Sequence, residues 1–325
     1  MTIIRLVMAA MVMVALPLSA GAAGVVSLPQ TGQVKCYGSV DPYDEIPCAG
    51  TGQDGEYLAG VFPPDPRFTV DGDCVTDNLT GLMWPVSANL PGAKLTWDDA
   101  IDFSNSLNLC GHSDWRLPNV LEMESLVDLS QVSPPLPVNH PFTEVQTGSY
   151  WSSTSYTYQD RTEVRALNFA DGSITKIDRS PYFGNETFVW PVRTFASSPD
   201  VPAPPWRTGQ TISYRPGDDG DLQAGVPWPD PRFSDTGDGL VTDNLTGLMW
   251  TKDARMPGPA ECSPGITKDW QGALDHMRCL NDHQYLGYSD WRLPNRKELI
   301  SLQDWAAYEP GLPAGHPFVS VWWKG

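Results

Sequence analysis

Cations are scarce in this chain. Lysine and arginine together number 21 against 39 aspartates and glutamates, for a net charge of −18. That balance argues against nucleic acid and against sulfated or anionic-lipid surfaces, which are bound by clustered Lys and Arg. Its plain reading is solubility outside the cell; acidic metal sites are the other. Histidine is rarer still, with five in 325 residues, and none stands in an H-x-x-x-H or HExxH spacing. The six cysteines include no C-x-x-C pair, and no G-x-S-x-G elbow occurs. After the N-terminus no segment is apolar enough to span a bilayer, which takes about 20 residues. No catalytic set, metal site or cofactor motif is therefore assigned, and the sequence reads as a binding module, not an enzyme.

What is present begins with an export signal. Arg5 precedes an apolar run from Leu6 to Leu18, followed by the small-x-small pattern of Ala20 and Ala22. This predicts a cleaved bacterial Sec signal peptide over residues 1–22 and a secreted or periplasmic protein. No cysteine directly follows the run, so a lipoprotein anchor is not expected. Abundant proline (31), glycine (29) and tryptophan (13) indicate loop-rich domains built around large aromatic side chains.

The chain repeats itself. Pro64-Asp65-Pro66-Arg67-Phe68 recurs as Pro229-Asp230-Pro231-Arg232-Phe233. VTDNLTGLMW, Val75 to Trp84, recurs unchanged from Val241 to Trp250. SDWRLPN from Ser113 recurs from Ser289, and His140-Pro141-Phe142 recurs as His316-Pro317-Phe318. The period is too long for a solenoid, so these are tandem domains. The expected organisation is an N-terminal disulfide loop segment over 23–50, a first domain over 51–195, a Pro-rich linker over 196–207 and a second domain over 208–325.

Cys74 and Cys110 align with Leu240 and Leu286, the substitution expected where two touching core positions hold a disulfide in one copy and an apolar pair in the other. Cys262 and Cys279 form a separate nearby pair, and Cys36 and Cys48 close a short loop. In an exported chain this favours three disulfides over metal or redox chemistry.

Within each unit, Asn78-Leu79-Thr80-Gly81 reads as a hairpin turn. Trp97, Ala100, Ile101, Ser104 and Leu107, behind an N-cap at Thr96, mark a helix with a core face. Trp270, Ala273, Leu274, Met277 and Leu280 repeat it behind Asp269. Asn119 with Glu122, and Asn295 with Glu298, form capping boxes that start a second helix. Strands follow over Tyr150–Thr154 and Arg165–Phe169, then an Asp171-Gly172 turn, Ile174–Ile177 and a last strand Phe188–Thr194. The order predicts an α+β domain with an antiparallel sheet and two helices.

DNLTGLMW, the Trp-x-x-Ala helix, SDWRLPN before a Glu-bearing helix, and YWSST with a closing P-V-R strand together resemble the C-terminal domain family of the Legionella collagen-like protein. The likeness covers nearly all of the first unit and most of the second. It implies tandem C-type-lectin-like domains. The sulfated-glycan adhesion of the family's namesake is not carried over to so acidic a chain without collagen-like repeats. The calcium-dependent sugar motifs Glu-Pro-Asn, Gln-Pro-Asp and Trp-Asn-Asp are also absent. The second unit stops short of its YWSST strand, Asp-Gly hairpin and closing strand. The expectation is a truncated product, with completion of the open sheet edge by another chain as the alternative.

Candidate chemistry is sparse. His140 and His316 suggest hydrogen-bonded loop imidazoles, and Asp114-Trp115-Arg116 with Asp290-Trp291-Arg292 suggest an ion pair fixing the entry to the second helix. Ser152, Ser153 and Thr154 lack a base. Asp71-Gly72-Asp73 and Asp235 to Gly239 read as hairpin turns, with calcium as the alternative. Three functions follow: a recognition or adhesion module for a glycan or an envelope or extracellular protein, a structural envelope component assembling through its repeats, or an enzyme using Asp114, Arg116 and His140.

Overall fold

The computed structural model describes residues 24–158, 161–180, 184–196, 201–308 and 311–321. The expected signal peptide and residues 197–200 of the linker lie outside them. The chain is a mixed α/β protein of small antiparallel sheets and short helices. Among the described residues no helix is long and apolar enough to cross a membrane.

In chain order, β1 (Cys36–Tyr37) and β2 (Glu45–Ile46) form a small hairpin, followed by α1 (Asp54–Tyr57). The first unit then contributes β3 (Phe68–Asp71), β4 (Cys74–Asp77), β5 (Leu82–Pro85), α2 (Trp97–Ser106) and α3 (Val120–Ser125). It continues with β6 (Ser149–Tyr158), β7 (Arg161–Asn168), β8 (Ser173–Asp178) and β9 (Arg193–Thr194). The strands make two sheets, ordered β3-β4-β5-β9 and β6-β7-β8. After α4 (Asp219–Leu222), the second unit has β10 (Phe233–Asp235), β11 (Leu240–Asp243) and β12 (Met249–Thr251), then α5 (Trp270–Asp282) and α6 (Arg296–Ser301).

The predicted helices form with the predicted caps. The Thr96 hydroxyl accepts from Asp99 N, the Asp269 carboxylate accepts from Gly272 N, and both Asn–Glu capping boxes are closed. The stripe of α2 packs as expected, with Trp97, Ala100 and Ile101 buried against Trp151, Val164, Ala166 and Val189. The Trp97 indole N–H donates to Ser152 O at 2.9 Å. In α5, Ala273, Leu274, Met277 and Leu280 are buried but Trp270 is 46% exposed, which corrects its assignment to the core. Nothing among the described residues of the second unit takes the place of the sheet that roofs Trp97.

The segment Phe188–Thr194 is also not one strand. It bridges Tyr150 at Phe188, Arg116 at Val192 and β5 at Arg193–Thr194, changing partner along its length. Three cysteine pairs lie at disulfide distance, Cys36–Cys48, Cys74–Cys110 and Cys262–Cys279. Leu240 and Leu286, the counterparts of Cys74 and Cys110, pack in one apolar cluster with Trp291.

The segments that precede the units cross over. Residues 24–63 run along the second unit: Val26 N donates to Leu245 O, Arg278 donates to Gly50 O, and the Arg292 guanidinium lies over the Tyr57 ring. Residues 201–228 run along the first: Ala203 N donates to Leu79 O, Gln210 donates to Ser155 O, and Arg215 pairs with Asp98 and Asp102. The two arms obey one pattern. Each carries a Thr-Gly-Gln turn (Thr31, Thr208) whose carbonyl accepts from its own unit, from Leu129 N and Trp305 N respectively. Each closes on itself by a parallel bridge, Pro29 to Val61 and Trp206 to Val226.

Between the units, Val26 and Leu28 of the first arm, Trp206 of the second, Val120 and Leu121 of α3, and Ile300 of α6 share one buried cluster with Leu245 and Trp305. The units are thus joined by a common core, with reciprocal exchange of arms.

Candidate functional site

The repeated blocks are explained by one another. Asp77 is fully buried, and its carboxylate accepts from Leu79 N and Thr80 Oγ1, holding the DNLTG turn. Its charge is matched by Arg67 of the PDPRF block, through Nε at 3.1 Å and Nη2 at 3.0 Å; the same guanidinium donates to Ser125 O at the end of α3. Arg232, Asp243 and Ser301 O repeat the arrangement at 2.8, 3.1 and 2.7 Å. A buried carboxylate is tolerable only with a well-aligned cation and filled lone pairs, and the bidentate fork supplies both. Gly81 and Gly247 end the turns at φ +72° and +75°, and a side chain at Gly81 would strike Ala196 O.

The Trp-Arg blocks behave differently from the expected Asp–Arg pair. Arg116 forms a fork with Glu122, at 2.6 and 2.5 Å, and Asp114 is bound by Arg193 of β9 at 2.7 and 3.1 Å. Glu122 is fixed and buried by its capping role, so the guanidinium is drawn to it. Asp114 lies at the surface, and its hydrogen bond from Arg193 holds its pKa below the usual carboxylate range. Arg292 grips Glu298 in the same way. The entry to the second helix is therefore fixed by an ion pair, with Glu122 or Glu298 as the acid.

The N-cap asparagines carry a second duty. Asn119 Oδ1 accepts from Leu121 N and Glu122 N, while its amide group donates to Ala224 O of the second arm. Asn295 caps α6 and donates to Ala59 O and Asp54 Oδ1 of the first arm. Ser or Asp would cap equally well but has no amide to offer the arm.

Each arm returns an acid to this junction, Asp219 buried and Asp54 half-buried. Asp219 Oδ2 accepts from Thr154 Oγ1 at 2.8 Å and from Thr208 Oγ1 at 2.6 Å, and Oδ1 is buried without a partner among the described residues. Burial pushes the Asp219 carboxyl up to about 6, against the two hydroxyl hydrogen bonds. Asp54, bound by Thr31 and Asn295, is raised for the same reason. Sequence reading missed these acids, although the repeated Thr-Gly-Gln and Asp-Gly steps of the arms carry them.

The remaining candidates are accounted for by packing. His140 stacks on Phe142 at 5.8 Å and His316 lies against Phe318 at 6.0 Å. Burial lowers both pKa values, and each Nδ1 is buried with no hydrogen-bond partner among the described residues. They are ring-packed loop imidazoles, not the hydrogen-bonded ones expected. Thr154 accepts from Val120 N and donates to Asp219, and Ser152 donates to Arg165 O. The Asp-Gly segments connect β3 to β4 and β10 to β11, and Asp235 is held by Lys252 at 2.6 Å. Cys262, Cys279 and His283 lie within metal-ligand distance of one another, but the two sulfurs are bonded together and so offer no thiolate.

A cleft of about 150 Å³ opens where the first arm meets the second unit, lined by Tyr57, Glu56, Leu274, Arg278, Asn281 and Trp291. Its polar groups are already engaged: Glu56 accepts from Gly50 N and Gly52 N, and Asn281 is bonded to Trp291 N and O.

No protein of curated function matches the sequence. The family model of the Lcl C-terminal domain matches residues 73–193 and again residues 239–324, more than half of the chain. These spans contain both hairpin turns, both capping boxes and both Trp-Arg blocks described above. The chain belongs to the Lcl C-terminal domain family.

Proposed function

We propose that this chain is a secreted or cell-envelope recognition module that binds a glycan or an envelope or extracellular protein without catalysis, on tandem C-type-lectin-like frames. The supporting observation is where the polar and aromatic groups go. Asp77, Arg116, Glu122, Asn119 and Thr154 are consumed in internal bonds. Tyr43, Phe62, Phe195 and Trp270, by contrast, present aromatic surface to solvent. Aromatic faces of this kind suit sugar rings and protein hot spots, because they offer large contact area at small entropic cost. Tandem copies of one domain in a single chain permit avidity where both bind.

The test is a glycan array and a panel of purified envelope proteins probed with the whole mature chain, with any hit titrated calorimetrically. A saturable ligand whose affinity falls on Trp270→Ala or Phe62→Ala supports the reading; no saturable ligand in either panel rejects it.

A second reading, a structural envelope component, draws on the exchanged arms and shared core, which make a stapled body suited to packing. Discrete oligomers or filaments of the mature chain with no soluble ligand would favour it. An enzymatic role would need Asp114, Arg116 and His140 to act together. Alanine substitutions there should then abolish an activity without lowering the melting temperature, whereas their present partners favour a loss of stability.

A further inference from the structure

Helices α3 and α6 meet the opposite arms in matched ways, through Asn119 to Ala224 O and Asn295 to Ala59 O, and the contacts between the helices break that match. The capping boxes align the helices residue by residue. Leu121 stands two places after Asn119 and Lys297 two places after Asn295, and Glu124 and Ile300 follow each cap by five. Across the interface the Lys297 ammonium lies 3.3 Å from Glu124 Oε1 and donates to Glu124 O, and Arg296 donates to Glu124 Oε2 at 2.7 Å. The side chains of Lys297 and Glu124 are each only 3% exposed. The related positions, Leu121 and Ile300, are both buried in the shared apolar cluster. One half of the interface is therefore ionic and the other half apolar.

We propose that Glu124 and Lys297 form a recognition code by which the α3 face accepts the α6 face of a second unit, in its own chain or in another copy, and rejects another α3 face. The reason is the cost of an unmatched buried charge. Two first units placed face to face would set each Glu124 against the other's Leu121, leaving two buried carboxylates without cations. Two second units would set each Lys297 against Ile300, leaving two buried ammonium groups without anions. Neither arrangement supplies the compensation that a buried charge requires. Only the mixed pairing joins Glu124 to Lys297 and Leu121 to Ile300 at once, a device of the kind that fixes partner choice through repulsion as well as attraction.

The code is tested by exchanging the faces in the whole mature chain. V120R/L121K/E124I gives the first unit the second unit's face, and R296V/K297L/I300E does the reverse, removing both cations that meet Glu124; each leaves like facing like within one chain. Both half-exchanges are expected to melt at least ~5 °C below the native chain. The sixfold variant V120R/L121K/E124I/R296V/K297L/I300E restores unlike faces and is expected to return to within about 3 °C of it. Refolded together, the two half-exchanged chains should yield a 1:1 heterodimer by native mass spectrometry, because each then finds its opposite face in the other. An ion pair that merely stabilised the fold would not create that heterodimer. Half-exchanges as stable as the native chain, a sixfold variant no more stable than either half, or a mixture that gives no heterodimer would each overturn the proposal.

Discussion

In the first unit Trp97 is 1% exposed beneath β6, β7 and the segment around Val189; in the second, Trp270 at the matched position is 46% exposed. The hairpin turns show the opposite. Arg67 with Asp77, and Arg232 with Asp243, make the same fork to within a few tenths of an ångström, although the sheets around them differ in strand number. A motif whose partners are its own neighbouring blocks keeps its geometry wherever it is placed. A helix stripe keeps its burial only where a distant sheet comes to cover it.

That contrast can be broken most forcefully at the turns. Arg232→Ala leaves Asp243 buried without a cation and is expected to cost about 3–5 kcal/mol. Arg67→Ala should match it to within about 1 kcal/mol, since the lock is the same; urea denaturation measures both. A much smaller loss in one unit would show that the shared motif does not act alike in the two.

The tryptophans should part company. Trp97→Ala empties a core site and should lose about 3–5 kcal/mol, while Trp270→Ala, half in solvent, should lose less than about 1 kcal/mol. Equal losses would mean that Trp270 is covered in solution.

The disulfide comparison follows. Replacing Cys74 and Cys110 by alanine is expected to remove roughly 2–4 kcal/mol. Replacing them by leucine, as the second unit does naturally, should recover part of this through the apolar contact, and thermal melts of the two double variants rank them.

The last comparison concerns the arms and is read through pH. The carboxyl of Asp219 titrates near 6 in the folded chain against an ordinary value of 3.8, so between these values the folded state holds more protons than the unfolded state. Its contribution to stability is fully present below about pH 4, is lost as pH rises through 6, and is flat above, a fall on the order of 3 kcal/mol. Asp219→Asn should remove this component from the pH–stability profile. A profile unchanged by the substitution would place the acid outside the arm's docking energetics.

Much of this architecture was legible in the residues. The tandem copies, both caps, the hairpin turn and the cysteine pairing follow from spacing alone, because each depends on contacts a few residues apart or on a direct comparison of copies. The exchange of arms does not. Thr31 and Thr208 sit in matched turns, but nothing in their spacing tells which unit Asp54 or Asp219 will enter. The acid that Arg116 selects was hidden for a related reason: Asp114 is nearer in sequence, yet Glu122 is already fixed by its cap. Trp270 misled because periodicity reports which face a helix offers and not whether anything meets it.

The claim on which the rest depends is that exchanged arms and the α3–α6 core make the two units one cooperative body. Calorimetric unfolding of the purified chain tests it most directly. A single transition, with calorimetric and van't Hoff enthalpies in agreement, is the result this structure predicts; two separable transitions, one for each unit, would contradict it.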